Sequence, residues 1–138
     1  MKFDLESFGY KHGIPEKSVV LDMRCLENPF WVPELRELSG LDVPVQKYIF
    51  QNKGSLAYAE QVLQLLLMQA ELGAKRGCDC ISVAVGCTGG RHRSVAVAEY
   101  LTAALRRAGY EVTLRHRDLQ REEPERSAQD VVFRECEK

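Results

Sequence analysis

Four short runs of apolar, largely β-branched residues are separated by stretches whose apolar positions recur every three or four residues. Phe3-Asp4-Leu5-Glu6-Ser7-Phe8-Gly9-Tyr10 alternates apolar with polar positions, the period of a half-buried strand. Ser18 to Cys25, centred on Val19-Val20-Leu21, reads as a second and more buried strand. Ile81 to Val85 reads as a third, buried strand, and Glu111 to Arg117 as the last. Between them, Pro33 to Leu38 predicts a short helix ended by Ser39-Gly40, and Val43 to Phe50 a second with Asp42 as N-cap. The longest helix is predicted over Ser55 to Arg76, with Leu56, Ala59, Val62, Leu63, Leu66, Leu67 and Ala70 on one side. Ser94 to Leu105 is a fourth, finishing in the basic turn Arg106-Arg107 and the C′ glycine Gly109. Strands and helices in this order predict a single α/β domain with a central, mostly parallel sheet of about four strands and flanking helices.

The turn between the third strand and the last helix holds the candidate chemistry. Cys87-Thr88-Gly89-Gly90-Arg91-His92-Arg93-Ser94 places two glycines and three cationic or titratable side chains at a helix N-terminus. Unpaired backbone N–H groups and the positive end of the helix dipole favour an anion there. Thr88, Gly89, Gly90 and Arg91 are the expected backbone donors. Arg93 is the expected bidentate partner of a phosphate, His92 and Arg24 supply further donors, and Ser94 opens the helix. The same residues spell Cys-x-x-Gly-x-x-Arg-Ser, the phosphate loop of cysteine-dependent phosphatases, in which a Cys87 thiolate would attack phosphorus. Asp22 and Asp42 are candidate general acids for that chemistry only if the fold brings one within about 3–4 Å of the leaving oxygen. The alternative is a binding loop without catalysis, in which Cys87 is a small buried residue at a strand end.

Other residues bear on this site. Asp22 and Arg24 share a face near the C-terminal end of the second strand, the usual ligand edge of an open α/β sheet. His12 lies in the turn after the first strand. Asn28 to Pro33 cannot be regular helix or central strand, so Phe30 and Trp31 either cap the core or line a pocket. Arg115 and Arg117 share one face of the last strand and His116 the other, so the two arginines either extend a positive pocket or solvate an edge. Cys78-Asp79-Cys80 has a spacing that suggests a metal, but a single pair without partners favours packing at the strand edge. No metal and no cofactor are expected.

Composition narrows the picture. With 138 residues, 45% hydrophobic and 28% charged, the chain has enough material for one core without a staple. A net charge of -1 gives no global attraction to nucleic acid. The start Met1-Lys2-Phe3-Asp4 carries no secretory signal, and Val62 to Met68 is too short to span a bilayer. Five cysteines without framework spacing favour a reducing, cytoplasmic setting. Residues 1–120 form the predicted domain, and 121–138 an acidic, partly ordered tail.

The motifs in order resemble a known family. Ser7 to Pro15, Leu21-Asp22-Met23-Arg24, Asn28-Pro29-Phe30, Leu35-Arg36 through Gly40-Leu41-Asp42, Gly86 to Ser94 and Arg115-His116-Arg117-Asp118 are similar to the C-terminal domain of the RapZ/YvcJ family. The resemblance implies an α/β unit that binds an anion or amino-sugar phosphate, a regulatory module rather than an enzyme. It also implies two kinds of partner found in some members: small regulatory RNA and a ribonuclease. Family members carry a P-loop domain that hydrolyses nucleotides. No Gly-x-x-x-x-Gly-Lys-Ser/Thr occurs here, so a P-loop protein would be a separate partner, and self-association is a further option. Two departures matter. Phe30 replaces a sugar-phosphate-binding histidine of some members, and Gln120 to Glu125 replaces a basic tail that would contact RNA.

Overall fold

A computed structural model describes residues 1–121. The expected acidic tail, apart from Arg121, lies outside the described residues. Four strands form one sheet: β1 (Lys2–Gly9), β2 (Val19–Asp22), β3 (Cys80–Cys87) and β4 (Glu111–His116), in the order β2-β3-β1-β4. Every pairing is parallel, with Gly9 opposite Cys87 and Ser7 opposite His116. Four helices accompany them: α1 (Pro33–Arg36), α2 (Val43–Phe50), α3 (Lys53–Ala74) and α4 (Arg93–Arg107). The predicted α/β class and four-strand sheet are therefore present.

One sheet face supplies Phe3, Leu5, Leu21, Ile81, Val83, Val85 and Val112 to the core, where they meet Val45, Ile49, Val62, Leu66, Leu101 and Leu105 of the helices. Hydrophobic burial drives this layer, with about 1.5–3 kcal/mol for each fully buried large aliphatic side chain. The other face is polar and self-paired along the N-terminal part of the strands. Lys17 meets Asp4 at 3.2 Å, Thr113 bonds Asp4 at 3.0 Å, and Arg115 meets Glu6 at 3.3 Å.

Two strand assignments differ from expectation. β1 is a central strand, buried on both faces from Leu5 to Gly9, because Phe8 packs under Tyr10 and Ala84 on the second face. β2 is an edge strand, as β4 is at the other side of the sheet, rather than the more buried one. It is only four residues long, and Val20 is exposed. Helix boundaries shift by a turn or less. Asn52 caps α3 by accepting from Ser55 N–H at 3.0 Å, which starts that helix at Lys53. Asp42 holds the N-cap position of α2, but its carboxylate accepts from Ser39 N–H at 2.8 Å instead of from the helix.

Because all strands run in parallel, the C-terminal ends of β1, β2 and β3 and the N-terminus of α4 meet along one edge. Glycines make the approach close. A Cβ on Gly9 would stand 2.4 Å from the Gly89 carbonyl carbon, and one on Gly40 would stand 2.4 Å from the Ala96 nitrogen in α4. Gly90 turns with φ +79°, a conformation that other residues adopt at a cost.

Candidate functional site

The loop from Cys87 to His92 joins β3 to α4, and nearly all of it is buried. α4 begins without a side-chain cap and has no acidic residue in its first turn, so its N-terminus keeps its positive character. Lys11 N–H donates to the Thr88 carbonyl at 3.1 Å, which ties the turn after β1 to this loop.

Arg93 is the largest fully buried side chain, 2% exposed. One guanidinium nitrogen donates to the carbonyls of Arg24 at 2.8 Å and Leu26 at 3.3 Å, and the other reaches the Thr88 hydroxyl at 3.5 Å. The sequence predicts a fork that faces the ligand. In the structure the fork also holds the turn 24–26 against the glycine loop.

Arg91 directs its guanidinium to the carbonyls of Leu38, at 2.9 Å, and Glu37. His92 is 3% exposed and its Nε2 meets the Arg36 carbonyl at 3.1 Å, so this nitrogen carries the proton. Burial holds the His92 pKa below its usual value, with the Arg91 charge adding to the effect, and the ring is neutral. These two residues thus brace the segment 36–38. Cys87 is 2% exposed and its Sγ lies 3.1 Å from the Ser94 hydroxyl.

Arg24 forms a fork with Asp22, Nε to Oδ1 at 3.0 Å and Nη2 to Oδ2 at 2.7 Å, and its guanidinium stacks 3.8 Å above the Tyr10 ring. Burial, then the Asp22 charge, raises the Tyr10 pKa. Arg117 pairs with Asp118 at 2.7 Å and donates to the carbonyls of His12 and Gly13 at 3.2 and 2.6 Å. Asp118, fully buried, accepts from Gly9 N–H at 2.8 Å. His12 buries its Nε2 with no partner among the described residues.

Arg115 is 74% exposed on the polar sheet face. Its neighbour His116 points to the other face, where it bonds Ser7 at 2.6 Å and Glu99 at 3.0 Å. Phe30 and Trp31 stand edge-on at 5.4 Å. Trp31 is 47% exposed, so it does not cap the core, and Arg36 lies over the Phe30 ring. Cys78 and Cys80 are both exposed, which corrects the expectation that they pack at the strand edge. Among the described residues there is no group of three or more His, Cys, Asp or Glu side chains that could hold a metal.

Across the turn that Arg93 holds lies a cavity of about 270 Å³, lined by Cys25, Leu26, Glu27, Asn52, Gly54, Ser55 and Tyr58. Tyr58 donates to the Asp22 carbonyl at 3.1 Å, and burial together with Cys25 and Asp22 raises its pKa. Sequence reasoning missed this lining. Asn52-Lys53-Gly54 carried only a break signal, and Tyr58 lies within a helical repeat whose outward face has no periodicity to betray a pocket.

The chain is an all-parallel α/β domain whose glycine-rich turn feeds an uncapped helix at the C-terminal sheet edge, the edge where open α/β folds usually take ligands. A family model described as the RapZ C-terminal domain matches residues 1–120, and the chain belongs to that family. A nucleotide-binding protein of Thermobifida fusca is 46% identical over 123 residues, covering 88% of this chain and 42% of that protein. Another nucleotide-binding protein, from Carboxydothermus hydrogenoformans, is 43% identical over 126 residues, covering 91% of this chain and 44% of the relative. The chain therefore spans less than half the length of these curated relatives. No helix among the described residues is long and apolar enough to cross a membrane.

Proposed function

We propose that this chain binds a phosphorylated small metabolite, an amino-sugar phosphate or a nucleotide, at the loop Thr88 to Ser94 and acts as a regulatory module in the cytoplasm. The observation that carries this reading is the uncapped, acid-free start of α4 directly behind Gly89 and Gly90. Backbone N–H groups of the loop and the Thr88 hydroxyl would hold the phosphoryl oxygens, with the positive charges of Arg93 and Arg24 adjoining them. His92, neutral and bound to a carbonyl, would shape the loop rather than carry charge to the ligand. The cavity beside Leu26, with its hydroxyl- and amide-bearing lining, suits the sugar or base of such a ligand. His12, whose ring Nε2 has no partner among the described residues and which follows the Lys11 that bonds Thr88, is a further recognition group in this reading.

The names of the relatives support a nucleotide as one ligand class, although nucleotide binding in those proteins belongs to chains more than twice the matched length. The resemblance extends the proposal to partners: RNA or a ribonuclease, and a separate P-loop protein. RNA contact would rest on exposed cations such as Arg115. A thermal-shift panel of amino-sugar phosphates, nucleotides and their unphosphorylated counterparts tests the reading. A true ligand at 100 times its Kd adds about 2.7 kcal/mol of stability, which is a shift of several degrees, and the unphosphorylated counterpart adds little.

A second reading has one specific distance in its favour. The Cys87 thiol donates to the Ser94 hydroxyl at 3.1 Å, and on loss of the thiol proton that hydroxyl could turn to donate to the thiolate, as a cysteine-dependent phosphatase needs. The 2% exposure of Cys87 opposes it, since attack on phosphorus needs an open thiol.

A further inference from the structure

Cys78 and Cys80 flank the junction of α3 and β3, and both are exposed free thiols. The sequence makes them a Cys-x-Cys pair that the ligand site does not use. Gly77, with φ +83°, reverses the chain just before Cys78, and the Cys78 N–H is anchored on the Gly73 carbonyl at 2.9 Å. The Asp79 carbonyl is fixed by Lys2 N–H at 2.9 Å, so both ends of the short segment are held by backbone bonds. Cys78 Sγ is already turned along the segment, 3.2 Å from the Cys80 carbonyl oxygen. With one residue between them, the two Cα atoms are at most about 7 Å apart even when extended, the upper end of disulfide reach.

We propose that Cys78 and Cys80 form a reversible redox site that closes to an intrachain disulfide when it meets a small-molecule disulfide such as oxidised glutathione. One thiolate attacks a sulfur of the oxidant and releases one reduced thiol. The second then attacks the mixed disulfide, forming the Cys78–Cys80 bond and releasing the other. Two protein thiols are oxidised, the small disulfide is reduced to two small thiols, and the two protons of the protein thiols end on those released thiols. The small ring makes the bond readily reducible, the behaviour of regulatory rather than structural disulfides. The site stands at the opposite end of β3 from Cys87, roughly 23 Å away at about 3.3 Å per residue. It is therefore independent of the anion-binding proposal.

The test uses the full chain carrying Cys25→Ser and Cys136→Ser, which leaves Cys78, Cys80 and the buried Cys87. The protein is equilibrated in glutathione buffers of graded ratio, acid-quenched, alkylated and read by intact and peptide mass. The expected result is a monomer that loses two hydrogens and two alkylation sites in the peptide containing residues 78–80, fully reversed by dithiothreitol. Adding Cys78→Ser or Cys80→Ser should instead trap a glutathione adduct on the remaining thiol. Independent glutathione adducts on both cysteines, covalent dimers, or no loss of alkylation sites would each overturn the proposal.

Discussion

The backbones of Gly90 and Gly9 lie so close that a Cβ on Gly90 would stand 2.6 Å from the Gly9 nitrogen. This contact seats the glycine loop on the end of the central strand. It leaves no room for a side chain, and Gly90 also has a positive φ. Gly90→Ala should therefore cost about 2–4 kcal/mol of stability, from strain and displacement together. Urea unfolding measures it. Gly109→Ala serves as a comparison, because Gly109 has a similar φ, +97°, with nothing within 4 Å of its Cβ position. Equal losses in the two variants would show that φ alone, not the contact, decides the cost.

Asp118 predicts an acid limit to stability. Burial alone would raise its carboxyl, but Arg117, the Gly9 N–H and Arg121 outweigh burial and hold it below the ordinary 3.8. A depressed carboxyl contributes stability above its unfolded pKa and loses it as pH falls through the folded value. Stability should drop from about pH 4 downward, and Asp118→Asn should flatten that drop while costing about 3–5 kcal/mol at neutral pH. His92 adds a second slope. Its depressed pKa means that the unfolded chain takes up a proton first, so stability declines as pH falls below about 6.5. Chemical denaturation between pH 3 and 8, with and without Asp118→Asn, separates the two windows.

The Cys87 thiol separates binding from catalysis. Cys87→Ser should leave hydrolysis of an aryl phosphate at the background level of the unmodified chain. Robust turnover that disappears on this change would establish the phosphatase reading instead.

RNA binding should be weak and strongly dependent on salt. Arg91, Arg93 and Arg117 already direct guanidinium nitrogens to backbone carbonyls, so the loop and the end of the last strand offer phosphates fewer open cations than their sequence suggests. Filter binding of a structured RNA across 50–200 mM salt should show affinity fading over that range. Tight binding that persists at the upper end would contradict this.

Much of the fold was legible in the sequence. The alternation of strand and helix periods, the two-glycine turn after Ile81–Val85 and the basic end of α4 all found their places. Three features were not legible, each for a physical reason. β1 looked half-buried because its polar positions, Glu6 and Ser7, are buried by partners distant in sequence, Arg115 and His116. Arg93 looked like an open fork because the carbonyls that receive it come from Arg24 and Leu26, almost seventy residues away in the chain. The cavity at Tyr58 arises where a helix start meets a strand end, and no local pattern marks that meeting. The glycines at 9, 40 and 90 carried more information than their turn propensity suggested, since each marks a close backbone approach.

The central claim is that the loop from Thr88 to Ser94 binds a phosphoryl group, and calorimetric titration tests it most directly. A hexosamine 6-phosphate is titrated into the unmodified chain, Thr88→Val and Arg24→Gln, with the unphosphorylated hexosamine as control and folding checked by circular dichroism. Hydrogen bonds to charged groups are worth about 1.5–3 kcal/mol each, so each variant should weaken the phosphosugar by roughly ten- to a hundredfold. The control sugar should bind no variant measurably. Unchanged phosphosugar affinity in both folded variants, or equal affinity for the sugar without its phosphate, would contradict the account.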